Sequence, residues 1–252
     1  MLYTLLSPAE AKEAGGSMAP ISPKSFIFPS LYGKRLELLQ KFENYKKTLS
    51  EKELLEFFEL KTLEDNSEYR DSVFGLGTDK AILRYSGVAY KALDFYSLST
   101  EAKKYVFDNV IIFSNLFGPI LSSDEIPNYK LKQGAKIGGV DAAKHYKKEF
   151  SQALDEMFDG CEIVDLLAGY YEKFYTPKVR TLKPKFLKNG KVVSHNAKEY
   201  RGLFLRMLAE SGAGTIDDAL SSEFDGLKLV EIIEKGVIVE PIFETYKPFK
   251  TV

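Results

Sequence analysis

The stretch VRTLKPKFLKNGKVVSHNAKEYRGLFLRML, residues 179–208, carries both kinds of periodicity that decide the fold class. Its first half predicts a hairpin. Strands over Val179–Leu187 and Lys191–Val193 flank Lys188-Asn189-Gly190, and Asn-Gly tolerates the positive φ that a tight turn needs at both positions. Its second half predicts a helix, with Asn196 as N-cap and Glu199 as the reciprocal acid three residues on. On a helical wheel Lys198, Arg201, Gly202, Leu205 and Arg206 share one face, while Tyr200, Leu203, Phe204, Met207 and Leu208 share the opposite, apolar face. The apolar face is expected to be core. The cationic face is expected to meet solvent or an anion, and Gly202, costing a helix about 1 kcal/mol against Ala, leaves a shallow place for a ligand to approach.

Working outward, Leu2–Leu6 is a short apolar run stopped by Ser7-Pro8 and reads as a buried strand. Residues 7–33 hold four prolines and three glycines and read as a long excursion, a length that usually serves a function. Leu36, Leu39 and Phe42 mark a helix, and Ser50-Glu51-Lys52-Glu53 is a capping box that opens another. Val88–Leu93 and Ser99–Phe107 read as helices, Val110–Phe113 as a strand, Asp141–Phe158 as an amphipathic helix and Glu162–Leu167 as a buried strand. Leu227–Ile233 and Val237–Ile242 pair across Lys235-Gly236. With no internal repeat and no linker, residues 1–252 are expected to form a single α/β domain with a mixed β-sheet flanked by helices. Residues 34–72 would be a small helical appendage.

The chain has 252 residues, enough for one large core. No apolar run approaches the length of a membrane helix, and MLYTLLSP is too short and uncharged for a secretory signal, so a cytoplasmic protein with no membrane partner is expected. A single cysteine, Cys161, excludes an internal disulfide, and two histidines are a poor supply for a transition-metal site. No cofactor is expected. The net charge of −1 conceals a segregation: from Lys173 to Arg206 there are ten cations and one acid, whereas residues 50–72 hold eight acids and three cations. Six lysines against Asp141 fall between Lys130 and Lys148. Such polarity predicts a basic face, for which a polyanion is the commonest partner.

Several segments in one order resemble the YaaA family of peroxide stress proteins: LLSPAEAK (5–12), ILRYSGVAYKAL (82–93), FSNLFGPILSSDEIPNYKLKQG (113–134), IVDLLAGYYEKF (163–174), and Ala197, Lys198, Arg201, Gly202 and Arg206. The resemblance implies a compact α/β fold with a cationic DNA-binding cleft, a cytoplasmic role in oxidative stress linked to DNA protection or repair, and a helix-hairpin-helix within residues 50–72. The chain departs from that pattern at named places. Glu10 stands where the family has lysine, with Lys12 nearby to substitute; Lys130 and Lys132 replace an arginine and a glutamate, and Tyr170 replaces a glutamate. Residues 63–65, Leu-Glu-Asp, bring acids and no glycine to the hairpin, so phosphate contact there is not expected.

The expected DNA- or anion-binding residues are Lys173, Lys178, Lys183, Lys185, Lys198, Arg201 and Arg206, with Lys183 and Lys185 on one side of a strand. Recognition would follow phosphates and shape, because no recognition-helix module is present. The alternative is an enzyme or binder of a small phosphate- or carboxylate-bearing metabolite. For this, Ser7, Tyr129, Lys130 and Tyr171 are the cleft candidates, joined at the strand ends by Lys173, Lys198 and Arg201. No nucleophile elbow, P-loop or His-Glu metal spacing marks a catalytic motif. Cys161 precedes a buried strand and reads as an inert thiol rather than a peroxide sensor.

Overall fold

The order of strands around Leu2–Leu6 sets the architecture. In the computed structural model, which describes residues 1–62, 68–192, 197–223 and 226–246, this segment is β1. The excursion that follows carries two 3-10 turns, Pro23–Ser25 and Pro29–Leu31, and is tied back by backbone bridges from Lys12 to Tyr85 and from Met18 to Thr78. Next come α1 (Tyr32–Thr48), α2 (Glu51–Phe58), β2 (Thr78–Lys80), α3 (Ala81–Arg84), α4 (Val88–Leu93) and α5 (Thr100–Asn109). The capping box at Ser50 behaves as the sequence predicts, with Ser50 and Glu53 closing on each other at the start of α2. The helix-hairpin-helix turn expected at residues 63–65 lies outside the described residues, as do Asn196 and His195.

β3 (Val110–Ser114) pairs parallel to β1, and β4 (Gly118–Leu121) turns back antiparallel to β3. All five residues of β3 are buried, so both faces of the sheet are covered there. After β5 (Glu125–Pro127), β6 (Lys136–Ile137) and β7 (Val140–Asp141), helix α6 (Ala142–Phe158) returns the chain to the other side of β1. There β8 (Glu162–Leu166) runs parallel to it, Thr4 facing Val164 on one side and Val110 on the other. The strand order therefore reverses at β1, and the crevice at the carboxyl ends of β1 and β8 is where open α/β sheets bind ligands.

The strand expected over residues 179–187 is interrupted. β9 (Thr181–Leu182) and β10 (Lys185–Lys188) keep one register against β13 (Ile238–Thr245), but Pro184 has no N–H to give. β11 (Lys191–Val192) closes the hairpin through Asn189 and Gly190, whose φ values are 53° and 69°. After α7 (Ala197–Ser211) and α8 (Ile216–Ser221), β12 (Leu227–Lys235) pairs with β13, with a register shift between Leu229 and Glu231. One buried cluster runs through Leu38, Leu39, Phe42 and Phe58 of the two helices of the 34–72 segment and on through Ile112, Phe150, Val164, Phe204 and Phe243.

Helix α7 is buried on more of its circumference than the wheel implies. Tyr200 and Phe204 meet Phe186, and Phe204 meets Phe243, which seats one face on the sheet. Gly202 and Leu205, assigned to the cationic face, are also buried. A Cβ on Gly202 would stand 2.0 Å from the Ala89 carbonyl oxygen, so the glycine is where α7 crosses α4 at close range rather than an opening for a ligand. That correction has a simple cause: a helix between a sheet and a second helix needs two packing faces, and small residues permit the second.

Candidate functional site

Ser7 ends β1 and is strapped from two sides. Its Oγ accepts the Ala168 N–H at 2.8 Å, just beyond β8, and its carbonyl accepts the Tyr90 hydroxyl of α4 at 2.9 Å. Pro8 turns the chain, and Lys12 folds back so that its Nζ donates to the carbonyls of Ala9 and Glu10, each at 3.2 Å. The same nitrogen lies 4.1 Å from the centre of the Tyr129 ring and 5.4 Å from that of Tyr85.

At the end of β3 a chain of hydroxyls begins. Ser114 Oγ accepts N–H bonds from Leu116 at 3.2 Å and Phe117 at 3.0 Å, and stands 2.7 Å from the Tyr129 hydroxyl. Tyr129 is in turn 2.9 Å from the hydroxyl of Tyr85. With both lone pairs of Ser114 engaged, its one proton goes to Tyr129, whose proton then goes to Tyr85. Next to this chain, Asn115 donates to the Leu131 carbonyl while its Oδ1, also buried, has no hydrogen-bond partner among the described residues; its amide lies beside the Tyr171 hydroxyl. Burial pushes the phenols of Tyr85, Tyr90, Tyr129 and Tyr171 upward, so all four stay protonated at neutral pH.

Burial moves Lys12 the other way, to about 7; Lys130 and Arg84 add to the depression, and Glu10 opposes it. Arg84 is itself committed, through Glu13, Ile126 and Asp79. Ser7, Tyr129, Lys130 and Tyr171 therefore gather at one strand end. Lys12, Tyr85, Tyr90, Ser114 and Asn115 join them without having been singled out as site residues from sequence. The signal for Lys12 was its place in SPAEAK directly after a buried strand; the others lie in the family-like segments 82–93 and 113–134, which did not by themselves say that they meet. Tyr85 and Tyr90 also line a cleft of about 1010 Å³ between α4 and α7, whose wall includes Lys91, Asp94, Glu199 and Arg206.

The basic segment has a different arrangement. Lys183 reaches Asp165 at 3.5 Å and Glu172 at 3.0 Å, and Arg201 faces the same two acids, with burial holding its pKa below the usual arginine value. Lys178 pairs with Asp155, and Lys185 with Glu240 at 2.7 Å. Arg206 donates to the carbonyls of Leu93 at 3.0 Å and Asp94 at 3.2 Å, and to Ser97 Oγ at 2.8 Å, and pairs with Glu210 at 2.7 Å. It thus satisfies the last carbonyls of α4, which have no partner within the helix. Lys173 and Lys198 are exposed and form no ion pair among the described residues; the Lys173 Nζ lies 5.1 Å from the Tyr170 ring. Half-buried Cys161 points its thiol toward the Met157 carbonyl, and the His145 ring meets the Lys34 carbonyl. No helix among the described residues is long and apolar enough to cross a membrane.

Comparison with known proteins fits this geometry into a family. A family model described as peroxide stress protein YaaA matches residues 2–232. The uncharacterized protein Cj0984 of Campylobacter jejuni is 42% identical over 240 residues, covering 95% of this chain and 98% of the relative. A UPF0246 protein of Corynebacterium glutamicum is 33% identical over 232 residues, covering 87% of this chain and 91% of the relative. One from Streptomyces coelicolor is 29% identical over 220 residues, 84% of each. The chain belongs to the YaaA family of peroxide stress proteins.

Proposed function

We propose that this family member serves the peroxide response, in the cytoplasm, by holding a small phosphate- or carboxylate-bearing metabolite at the carboxyl ends of β1, β3 and β8. The observation that carries this reading is the pair Lys12 and Lys130, brought within electrostatic reach of each other with Glu10 as the acid that opposes them. Two lysines in a half-buried place repel, and an anion between them relieves that repulsion. Protonated phenols beside them supply hydrogen bonds to the same ligand. The excursion over residues 7–33 is bridged to Tyr85 and Thr78 beside these groups, which supports a ligand of limited size. Thermal unfolding with a panel of phosphates and carboxylates tests the proposal. A ligand present at a hundred times its Kd should stabilise the fold by about 2.7 kcal/mol, and Lys130→Ala should remove most of that gain. If no member of the panel stabilises the protein, the reading fails.

DNA binding, with a part in DNA protection or repair, is the second reading, and one observation favours it. Lys173, Lys188, Lys191 and Lys198 are exposed and carry no ion pair among the described residues. These lysines, rather than Arg206, which is tied to the end of α4 and to Glu210, would touch phosphates. Gel-shift assays across salt should then show log K falling by about 0.9 per log unit of salt for each contact. Lys173→Ala and Lys198→Ala would each flatten that slope, and an unchanged slope in the double variant would end this reading.

A further inference from the structure

We propose that Lys12 is an amine nucleophile that condenses with the carbonyl of a small 2-oxo acid, with Lys130 holding the carboxylate and the Tyr85 hydroxyl donating to the carbonyl oxygen. The inference rests on the small-anion reading above and names the chemistry of that ligand.

Four features of the site point to it. An uncharged lysine has two N–H groups and one lone pair. The carbonyls of Ala9 and Glu10 take the two N–H groups, so the lone pair is directed away from the backbone that holds the amine. The hydroxyl chain has a direction, because Ser114 already accepts two backbone N–H groups; Ser114 and Tyr129 both act as donors toward Tyr85, which leaves the Tyr85 proton to be given onward. A protonated phenol at the end of such a chain is a hydrogen-bond donor set to meet an oxygen that gains charge. Asn115 Oδ1, buried at the same strand end, accepts no hydrogen bond among the described residues. The charged groups acting on Lys12 are Lys130, Glu10 and Arg84, and their balance with burial leaves much of the amine uncharged near neutrality.

The step balances without an oxidant or reductant. The amine lone pair attacks the carbonyl carbon, the C=O π pair moves to oxygen, and one amine proton passes to that oxygen to give a carbinolamine. The C–O bond then breaks, the hydroxyl leaves as water with a proton from solvent, and the nitrogen lone pair forms the C=N bond of a protonated imine. The sum is amine, 2-oxo acid and one proton giving iminium and water.

The test is reductive trapping of the whole protein. Pyruvate or glyoxylate is added with cyanoborohydride at a series of pH values, and the adduct is mapped by peptide mass spectrometry. One reduced adduct should form at Lys12, with a rate that rises through a midpoint of about 7, whereas ordinary surface lysines gain reactivity only near their usual pKa of about 10.4. Tyr85→Phe should slow trapping by at least about tenfold, and Lys12→Arg should abolish it. Lactate, which has the carboxylate without the carbonyl, is the parallel probe by thermal shift. If lactate stabilises the protein but trapping is absent, or spread evenly over surface lysines, the nucleophile assignment is overturned and the anion site stands. If lactate and pyruvate leave stability unchanged and no adduct forms at Lys12, both fall.

Discussion

Gly202→Ala should destabilise the protein although it improves the helix. Helical propensity alone favours the alanine by about 1 kcal/mol. Against that, the new Cβ would lie 2.0 Å from the Ala89 carbonyl oxygen, 2.8 Å from its carbonyl carbon and 2.9 Å from the Ala92 Cβ. Two of those atoms are backbone of α4, which cannot swing aside as a flexible side chain would. The helices must separate by more than 1 Å to restore a contact of about 3.4 Å, and overpacking of that kind costs roughly 1–3 kcal/mol. The overpacking cost less the propensity gain leaves a net loss of up to about 2 kcal/mol, near the upper end because the clash is with backbone. Gly33, on α1, is the control: nothing lies within 4 Å of its Cβ position, so Gly33→Ala should be neutral or stabilise by up to about 1 kcal/mol. Urea unfolding of both variants measures the pair. Because α4 also carries Tyr90, whose hydroxyl holds the Ser7 carbonyl, Gly202→Ala should weaken ligand binding as well. A Gly202→Ala protein as stable as wild type would refute the close-crossing argument.

Arg206→Ala removes the donors that satisfy the end of α4 and should cost about 1–2 kcal/mol in urea unfolding; an unchanged stability would return Arg206 to the list of free phosphate ligands. Lys12→Met should raise stability at pH 6, where folding forces a charged amine out of water. The depressed folded pKa means wild type regains this stability as pH rises from about 7 toward 10.5, so the difference between the two proteins should shrink over that window. A difference independent of pH would show that Lys12 is not desolvated. Cys161→Ser should leave peroxide resistance intact in a complementation assay, since the thiol has no second cysteine to resolve an oxidised form; lost resistance in a folded variant would establish redox chemistry at this residue.

Local rules found the local features. The Asn-Gly turn, the Ser50 capping box and the apolar run of Leu2–Leu6 each depend on a few adjacent residues, and each sits where those residues require. The charge segregation along residues 173–206 was equally visible, but its meaning was not. Lys183 answers to Asp165 and Glu172, Lys185 to Glu240 and Arg206 to the end of α4, and no count along the chain foretells partners in distant elements. The hydroxyl chain is the extreme case. Tyr85, Ser114 and Tyr129 meet only because β3 ends where the segments after α3 and β5 pass; all three lie in segments that resemble the family, but only Tyr129 was read from sequence as a site residue. Lys12 was glimpsed as a substitute for a missing lysine, whereas its burial against an aromatic ring needed the fold.

The shift of register within β12 bears on what the outer edge of the sheet offers to another strand. Among the described residues β12 pairs with β13 alone, and it shows Val230 and Ile232 to solvent, 51% and 43% exposed. A flat outer strand with such side chains would be a template onto which a second molecule adds its own strand. The bulge between Leu229 and Glu231 breaks the even ladder of hydrogen-bonding groups that a newcomer would have to match. Lys228, Glu231, Glu234 and Lys235 punctuate the same rim with charge that would have to be stripped of water. Straightening the edge by deleting one residue near Val230 is therefore expected to make edge-to-edge association easier.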